Sequence, residues 1–341
     1  MDSTMRASVL TGPHTIELLE RPVPEPGPDE VLVRVGSVGV CGSDVHYYEH
    51  GRIGSMVVEG PLVLGHEVGG TIVSVGDAVD PTRVGQRVAL EPQRPCRRCR
   101  QCKTGHLNLC PDMEFFATPP IDGAFCDYVA LPADFAHPIP DSLSDAAAGL
   151  IEPLSVGIWA NRKGGTVAGS RVFITGAGPI GAMVALSARA MGATDIVVSD
   201  PLESRRRRIT ELAAARTVDP IAGFDPAAIE ADAFIECSGA TPALLDGLKA
   251  LRPGGAAVMV GHGEEHVTLP VQDITVREIT LTGIFRYVDT WPAAISLAAT
   301  GAVDLDALVT AQFGLDEVEA ALQSDSDAMS MKSVVVVNGG I

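Results

Sequence analysis

Positive charge is scarce in this 341-residue chain: 25 Lys and Arg stand against 43 Asp and Glu, a formal net charge of −18. Such a balance argues against a phosphate-binding surface for DNA or RNA, which would need a basic stripe. Apolar runs of membrane length are missing too. The longest uncharged span, Val172 to Ala188, carries Gly176, Gly178, Pro179 and Gly181 in its middle and reads as strand, turn and helix. At the N-terminus Asp2 and Arg6 flank no apolar run, so no secretory leader is expected. Repeats and low-complexity tails are absent as well. With 46% hydrophobic residues and length for roughly two domains of ordinary size, these absences predict a soluble cytoplasmic protein without nucleic-acid or membrane partners.

Cysteine is sparse, seven in all, yet four of them form the pattern Cys96-x2-Cys99-x2-Cys102-x7-Cys110. The stretch from Pro95 to Gly105 is too polar for a core, and its tight repeat lets neighbouring sulfurs meet one ion. Nearby basic residues favour thiolate over thiol. Four thiolates close a tetrahedron, which predicts a structural zinc. Disulfides are the alternative, but nothing else suggests secretion, and the remaining Cys126 and Cys237 read as buried thiols. Cys41, ahead of Gly65-His66-Glu67, supplies a different set: thiolate, imidazole and carboxylate. Three unlike protein ligands leave a fourth position open, so a second zinc, a reactive one, is expected here.

The texture of the chain changes near residue 150 and again near residue 285. Up to residue 150, short β-branched runs such as Val31–Val35 and Thr71–Val75 are broken by Gly, Pro and Asp, which predicts an irregular, mostly β domain. The Pro- and Gly-rich segment Arg21 to Glu30 reads as a surface connection between strands. From Arg171 on, the runs Val172–Thr175, Ile196–Ser199, Ala233–Glu236, Ala257–Val260 and Ile279–Thr282 are continuously apolar and separated by helical segments. Strands buried on both faces and alternating with helices predict a parallel, doubly wound α/β sheet.

Gly176-Ala-Gly178-Pro179-Ile180-Gly181 sits where the first of these strands hands over to a helix expected over Ala182–Met191. In that context the first glycine makes the turn, the second admits a pyrophosphate and the third lets helix pack on strand, with the phosphate at the helix N-terminus. Asp200 closes the second strand, where an acidic side chain accepts hydrogen bonds from the adenosine ribose and repels a 2′-phosphate. NAD is therefore expected rather than NADP. The run Arg205–Arg208 is the contrary signal; it reads as a solvated helix face with one arginine, Arg205, against the adenosine. A reactive zinc beside a dinucleotide fold points to hydride transfer at a carbon bearing oxygen.

Together the segments Cys41-Gly-Ser-Asp-Val-His46, Gly65-His66-Glu67-x2-Gly70-x5-Gly76 and the cysteine lobe resemble the zinc-dependent medium-chain dehydrogenases. Val45–Gly54, Ala117–Pro120, Ile151–Gly157, Phe285–Tyr287 and Thr290–Pro292 narrow the resemblance to the sorbitol (polyol) dehydrogenase branch, and the match runs through nearly the whole chain. It implies a GroES-like catalytic domain over residues 1–152 and 286–341, a Rossmann NAD-binding domain over 153–285, and an active site in the cleft. It further implies that Cys41 and His66 bind the catalytic zinc, with Glu67 and Glu152 competing for the remaining protein contribution. Asp44 would orient His66. Ser43 and His46 resemble the family's proton relay, against which Glu152 acting through water is the competing acceptor. A homodimer or homotetramer is also implied.

Substrate choice is a question of hydroxyls, since a polyol needs donors and acceptors spaced along a chain. The resemblance places Tyr47, Arg286 and Tyr287 at the substrate, with Phe115 and Phe116 as walls, and the chain has only four tyrosines. The expected reaction is oxidation of a secondary hydroxyl of a sorbitol- or xylitol-like polyol by NAD to a ketose. A threonine 3-dehydrogenase or butanediol dehydrogenase is the near alternative, and a non-catalytic NAD-binding sensor the distant one.

Overall fold

A computed structural model describes residues 3–324 and 330–338. Asp2 and parts of the expected C-terminal return, residues 325–329 and 339–341, lie outside the described residues. The chain divides into two compact units, residues 1–152 with 291–341, and residues 153–290. The return to the first unit thus falls at Trp291, where the sequence put it at residue 286. The intervening stretch is tied to the second unit: Arg162 Nη1 donates to the Asp289 carbonyl at 2.5 Å, and Ile284 N to the Met259 carbonyl at 3.1 Å.

In the first unit, strand β1 (Glu30–Gly39) is buried over nearly its whole length, Val31, Leu32, Val33 and Val35 included, with Arg34 the exposed residue, as suits a central strand covered on both faces. Helix α1 (Gly42–His50) follows at once, capped by Cys41. Strand β2 (Glu67–Val75) pairs antiparallel with β1, setting Glu67 opposite Gly39. Next come β3 (Arg87–Leu90), β4 (Tyr128–Pro132) and β5 (Ala136–Pro138). A smaller sheet joins Thr15–Pro22, Thr4–Gly12 and Leu62–Val63. The short helix Asp145–Gly149 lies directly on β2, where a Cβ at Gly69 would stand 2.6 Å from that of Ala148; only glycine permits the approach that leads the chain to Glu152.

Helix α2 (Ile151–Lys163) runs from Glu152 into the second unit, which continues with β6 (Arg171–Thr175), α3 (Pro179–Ala190), β7 (Asp195–Ser199), α4 (Glu203–Ala213) and β8 (Arg216–Val218). The second half supplies β9 (Ala231–Glu236), α5 (Thr241–Ala250), β10 (Leu251–Met259) and β11 (Thr280–Gly283). All five strand pairings are parallel and the order is β8-β7-β6-β9-β10-β11, the doubly wound arrangement expected. Phe173, Phe234, Val197 and Ala257 fill its core. Helix α3 starts at Pro179 and not at Ala182, because proline is pre-shaped for the first helical position and its missing N–H would have no partner there.

Strands β12 (Val309–Gly314) and β13 (Lys332–Val336) complete the first unit. Its main sheet has the order β5-β3-β2-β1-β13-β12, with β4 on the leading half of β1. Strand β13 runs antiparallel to the end of β1, Val334 opposite Gly39, and so carries Lys332 toward the start of β2. The irregular mostly-β unit and the parallel α/β unit are the two fold classes read from the sequence.

Candidate active site

Among the described residues, two groups of three or more metal-type donors converge. In the first, the Cys41 sulfur, a His66 ring nitrogen and a Glu67 carboxylate oxygen all lie within 4.8 Å of one another. The turn at the head of α1 and the start of β2 bring them together, and Asp44 joins the two. Its Oδ2 accepts from Cys41 N at 3.1 Å, its Oδ1 accepts from Gly65 N at 2.9 Å, and the same Oδ1 stands 3.5 Å from His66 Nδ1. Asp44 is wholly buried. Burial works against a charged His66, yet Asp44 and Cys41 outweigh it and hold its pKa well above the ordinary histidine value. Thiol, imidazole and carboxylate gathered in a pocket that attracts positive charge fit a zinc ion. Glu152, buried at the start of α2, is not a member of this group but acts electrostatically on neighbouring Lys332.

Phe115 is buried with its ring 5.6 Å from that of His66, and Phe116 is half-buried beside it. Ser43 and His46 lie along α1; His46 is exposed, its Nδ1 is 3.2 Å from the Arg52 carbonyl and its ring meets His50 edge-on at 4.6 Å. Tyr47 is buried, with its hydroxyl 3.9 Å from the Met56 sulfur. Arg286 and Tyr287 belong to the second unit: Arg286 has φ 55° and lies over the Phe285 ring at 4.7 Å, and Tyr287 is fully buried.

The second donor group comprises Cys96, Cys99, Cys102 and Cys110, all four sulfurs within 4.8 Å. Their loop leaves and rejoins the fold through the antiparallel pair Gln93–Arg94 and Glu114–Phe115. Backbone N–H groups point at the sulfurs: Cys96 N at Cys110 (3.3 Å), Cys99 N at Cys96 (3.4 Å) and Cys102 N at Cys99 (3.4 Å). The N–H groups of Arg98 and Cys99 draw the Cys96 thiol down to about 7, whereas burial and the adjoining sulfurs push Cys102 up to about 12. Four sulfurs crowded to this distance suit one tetrahedral ion. Cys126 and Cys237 stand apart, both with burial raising their pKa.

In the second unit, Gly176 takes φ 88°, Gly178 caps α3, and a Cβ at Gly181 would collide with the Gly176 carbonyl. A Cβ at Gly178 would meet nothing nearer than Arg205 Nη1, at 3.7 Å, so an open cradle faces the helix N-terminus. Arg205 Nε is buried without a hydrogen-bond partner among the described residues. An open cradle, a helix N-terminus and an unsatisfied guanidinium nitrogen fit a dinucleotide phosphate. Asp200 is buried at the end of β7, its Oδ2 accepting from Ala177 N and its Oδ1 from Leu202 N, both at 2.8 Å. Carboxylate oxygens have lone pairs to spare for ribose hydroxyls after these two bonds. Arg206, by contrast, is spent on Asp219 at 3.0 Å and on the Asp200 and Pro201 carbonyls.

The alcohol dehydrogenase GroES-like domain model matches residues 27–141, and the zinc-binding dehydrogenase model matches residues 179–300. Sorbitol dehydrogenase of Gallus gallus is 43% identical over 327 residues, covering 93% of this chain and 92% of that protein. The chain belongs to the zinc-dependent medium-chain dehydrogenases, in their sorbitol dehydrogenase branch. Solved structures of this dehydrogenase fold superpose closely. L-idonate 5-dehydrogenase of Escherichia coli K-12 gives a TM-score of 0.93 at 30% identity, with 98% of this chain and 99% of that one covered. 2R,3R-butanediol dehydrogenase of Bacillus subtilis gives 0.90 at 30% identity, with 98% and 100% covered. As a member of this family the dehydrogenase is an oxidoreductase that works with zinc and NAD.

Sequence reasoning missed Lys332. Its ammonium is buried, 2.7 Å from Glu67 Oε1, 2.6 Å from Oε2 and 2.5 Å from the Val40 carbonyl. Burial opposes its charge, but Glu67 and Cys41 outweigh that and raise its pKa. A lysine inside the apolar run Met331–Val337 is the available signal, because lysine is almost never fully buried unless paired.

Proposed function

We propose that this dehydrogenase oxidises a secondary hydroxyl of a sugar alcohol with NAD, giving a ketose, NADH and one proton. The observation that carries the reading is the Cys41–His66–Glu67 donor group, in a chain 43% identical to a sorbitol dehydrogenase. When bound, zinc polarises the substrate hydroxyl and NAD accepts the hydride. Cys41, His66 and Glu67 hold the metal; Asp44 fixes the His66 ring through Nδ1, and Lys332 holds the Glu67 carboxylate in place. Glu152, which acts electrostatically on Lys332, is the alternative donor to Glu67. Phe115 keeps water from the His66 side. For the released proton, Ser43 and His46 form the exit, since a His46 Nδ1–H turned to the Arg52 carbonyl leaves Nε2 as the accepting atom. Tyr47, Arg286 and Tyr287 are the proposed polyol contacts.

Cys96, Cys99, Cys102 and Cys110 hold a structural zinc in this reading. Gly176, Gly178, Pro179, Ile180, Gly181, Asp200 and Arg205 receive NAD, and Asp200 disfavours the 2′-phosphate of NADP. Thiolate donors at both metal groups bind metal only while reduced, which favours the cytoplasm. A homo-oligomer, dimer or tetramer, is supported by the edge strand β11, which pairs on one side only among the described residues, and by exposed Phe285, Val271 and Val276 near it in sequence, because an edge strand invites pairing.

The test is initial rates of NAD reduction over sugar alcohols, threonine, 2,3-butanediol and simple alcohols, with zinc measured on the same sample. Turnover of a five- or six-carbon polyol supports the reading. Butanediol is the second reading, favoured by the Bacillus subtilis neighbour, and activity confined to it would replace the first. A chain with zinc in the cysteine lobe alone and no turnover would be an NAD-binding protein without catalysis.

A further inference from the structure

The order β8-β7-β6-β9-β10-β11 reverses between β6 and β9, and in open α/β sheets a ligand lies outside the carboxyl ends of the strands at such a reversal. Glu236 is the last residue of β9 and Thr175 the last of β6, directly before Gly176. Glu236 is buried, yet the groups bound to its side chain are neutral. One oxygen, Oε1, accepts from Ser238 N at 2.7 Å, Ser238 Oγ at 2.5 Å, Gly239 N at 2.9 Å and Thr175 Oγ1 at 3.3 Å. The main chain of the same residue holds the next loop, its carbonyl accepting from Val260 N at 2.9 Å and Gly261 N at 3.0 Å.

These loops have no slack. A Cβ on Gly261 would lie 2.7 Å from Glu236 Oε2 and 2.4 Å from Gly239 N, and one on Gly239, at φ 72°, would lie 2.2 Å from the His262 carbonyl. The Glu236 carboxylate thus ties the end of β6 to the turn after β9, and the main-chain carbonyl of the same residue holds the turn after β10. The first mononucleotide half of the fold, with the glycine turn and Asp200, serves the adenosine side; the second half, which Glu236 organises, is left for the other mononucleotide.

We propose that the Glu236 carboxylate is a positioning group for the nicotinamide half of NAD, acting through the end of β6 and the loop at 237–239, which in turn packs on 262–263. The proposal rests on the reading that this unit takes NAD. Its test is titration of the full-length chain with NADH by fluorescence and with AMP by calorimetry, since AMP occupies the adenosine side alone. In Glu236→Ala the Kd for NADH should rise about tenfold, as loss of several hydrogen bonds predicts, while that for AMP changes less than about twofold. Glu236→Gln keeps a carbonyl oxygen for the same donors and should return NADH affinity to within about threefold of the parent. Thr175→Val, which removes the link across the reversal without touching the carboxylate, should weaken NADH about threefold and spare AMP. Unchanged NADH affinity in Glu236→Ala, equal weakening of AMP, or no rescue by glutamine would overturn the proposal. If Glu236→Ala does not fold, Thr175→Val decides, and wild-type NADH affinity in that variant is the overturning result. An unmodified chain that binds AMP and NADH not at all would instead remove the NAD reading beneath it.

Discussion

The two donor groups of the first unit are held by opposite means. At Cys41, His66 and Glu67 the scaffold is made of charged side chains, Asp44 against His66 and Lys332 against Glu67, all buried and drawn from segments far apart in the chain. In the cysteine lobe the scaffold is backbone: N–H groups within fifteen residues of sequence point at sulfurs of the same loop. A centre with three unlike donors keeps a coordination place for substrate, and its charged supports set how strongly it attracts a cation. A cage of four sulfurs has no such place and supports only its own loop.

Four substitutions probe that contrast, beginning with the largest effect. His66→Ala should cut kcat/KM at least about a thousandfold, the scale of losing metal polarisation, and metal analysis should show the lobe still loaded. Retention of both ions with near-normal rates would dissolve the distinction between the groups. Lys332→Met removes the ammonium from buried Glu67, and urea unfolding of the metal-free protein should show a loss of about 3–5 kcal/mol. A loss below about 1 kcal/mol, the range of exposed pairs, would mean that Glu67 finds another partner. Asp44→Asn should weaken metal affinity at the first group about 10- to 100-fold, read by competition with a chromophoric chelator, with the lobe unaffected. Smallest in its effect on chemistry, Cys99→Ser should lower Tm by several degrees while leaving kcat nearly unchanged; a full loss of lobe zinc without change in Tm would show that the lobe carries no stability.

How far these features were legible follows from the distance along the chain over which each is encoded. Cys96, Cys99, Cys102 and Cys110 announce themselves by spacing, because one loop supplies every sulfur. Gly176, Gly178 and Gly181 are legible for the same reason: turn, cradle and helix start are local. Strand runs such as Val31–Val35 and Val172–Thr175 identified both fold classes, and the structure lengthened β1 to Glu30–Gly39 without altering its type. Asp44 was readable as a support for His66 only through the motif around Cys41. Lys332 was not readable at all, since its partner Glu67 is reached by pairing β13 against the end of β1. Glu236 reads from the sequence as a strand residue and no more, because its carboxylate gains its meaning from Thr175 on β6 and from the turn it holds at 238–239.

By itself, then, the amino-acid order determined whatever a short segment can specify: the β-branched and apolar runs that make strands, the cysteine spacing, the glycine turn and the acidic residue closing β7. Tertiary structure alone decided which charges face one another. A carboxylate buried at Glu67 is tolerable only beside a donor, and the Lys332 ammonium arrives through strand register across distant segments; at Glu236 the nearer donors, Ser238 and Gly239, are local, and only the Thr175 hydroxyl comes by register. Register is set by the packing of whole sheets, so no local pattern records it.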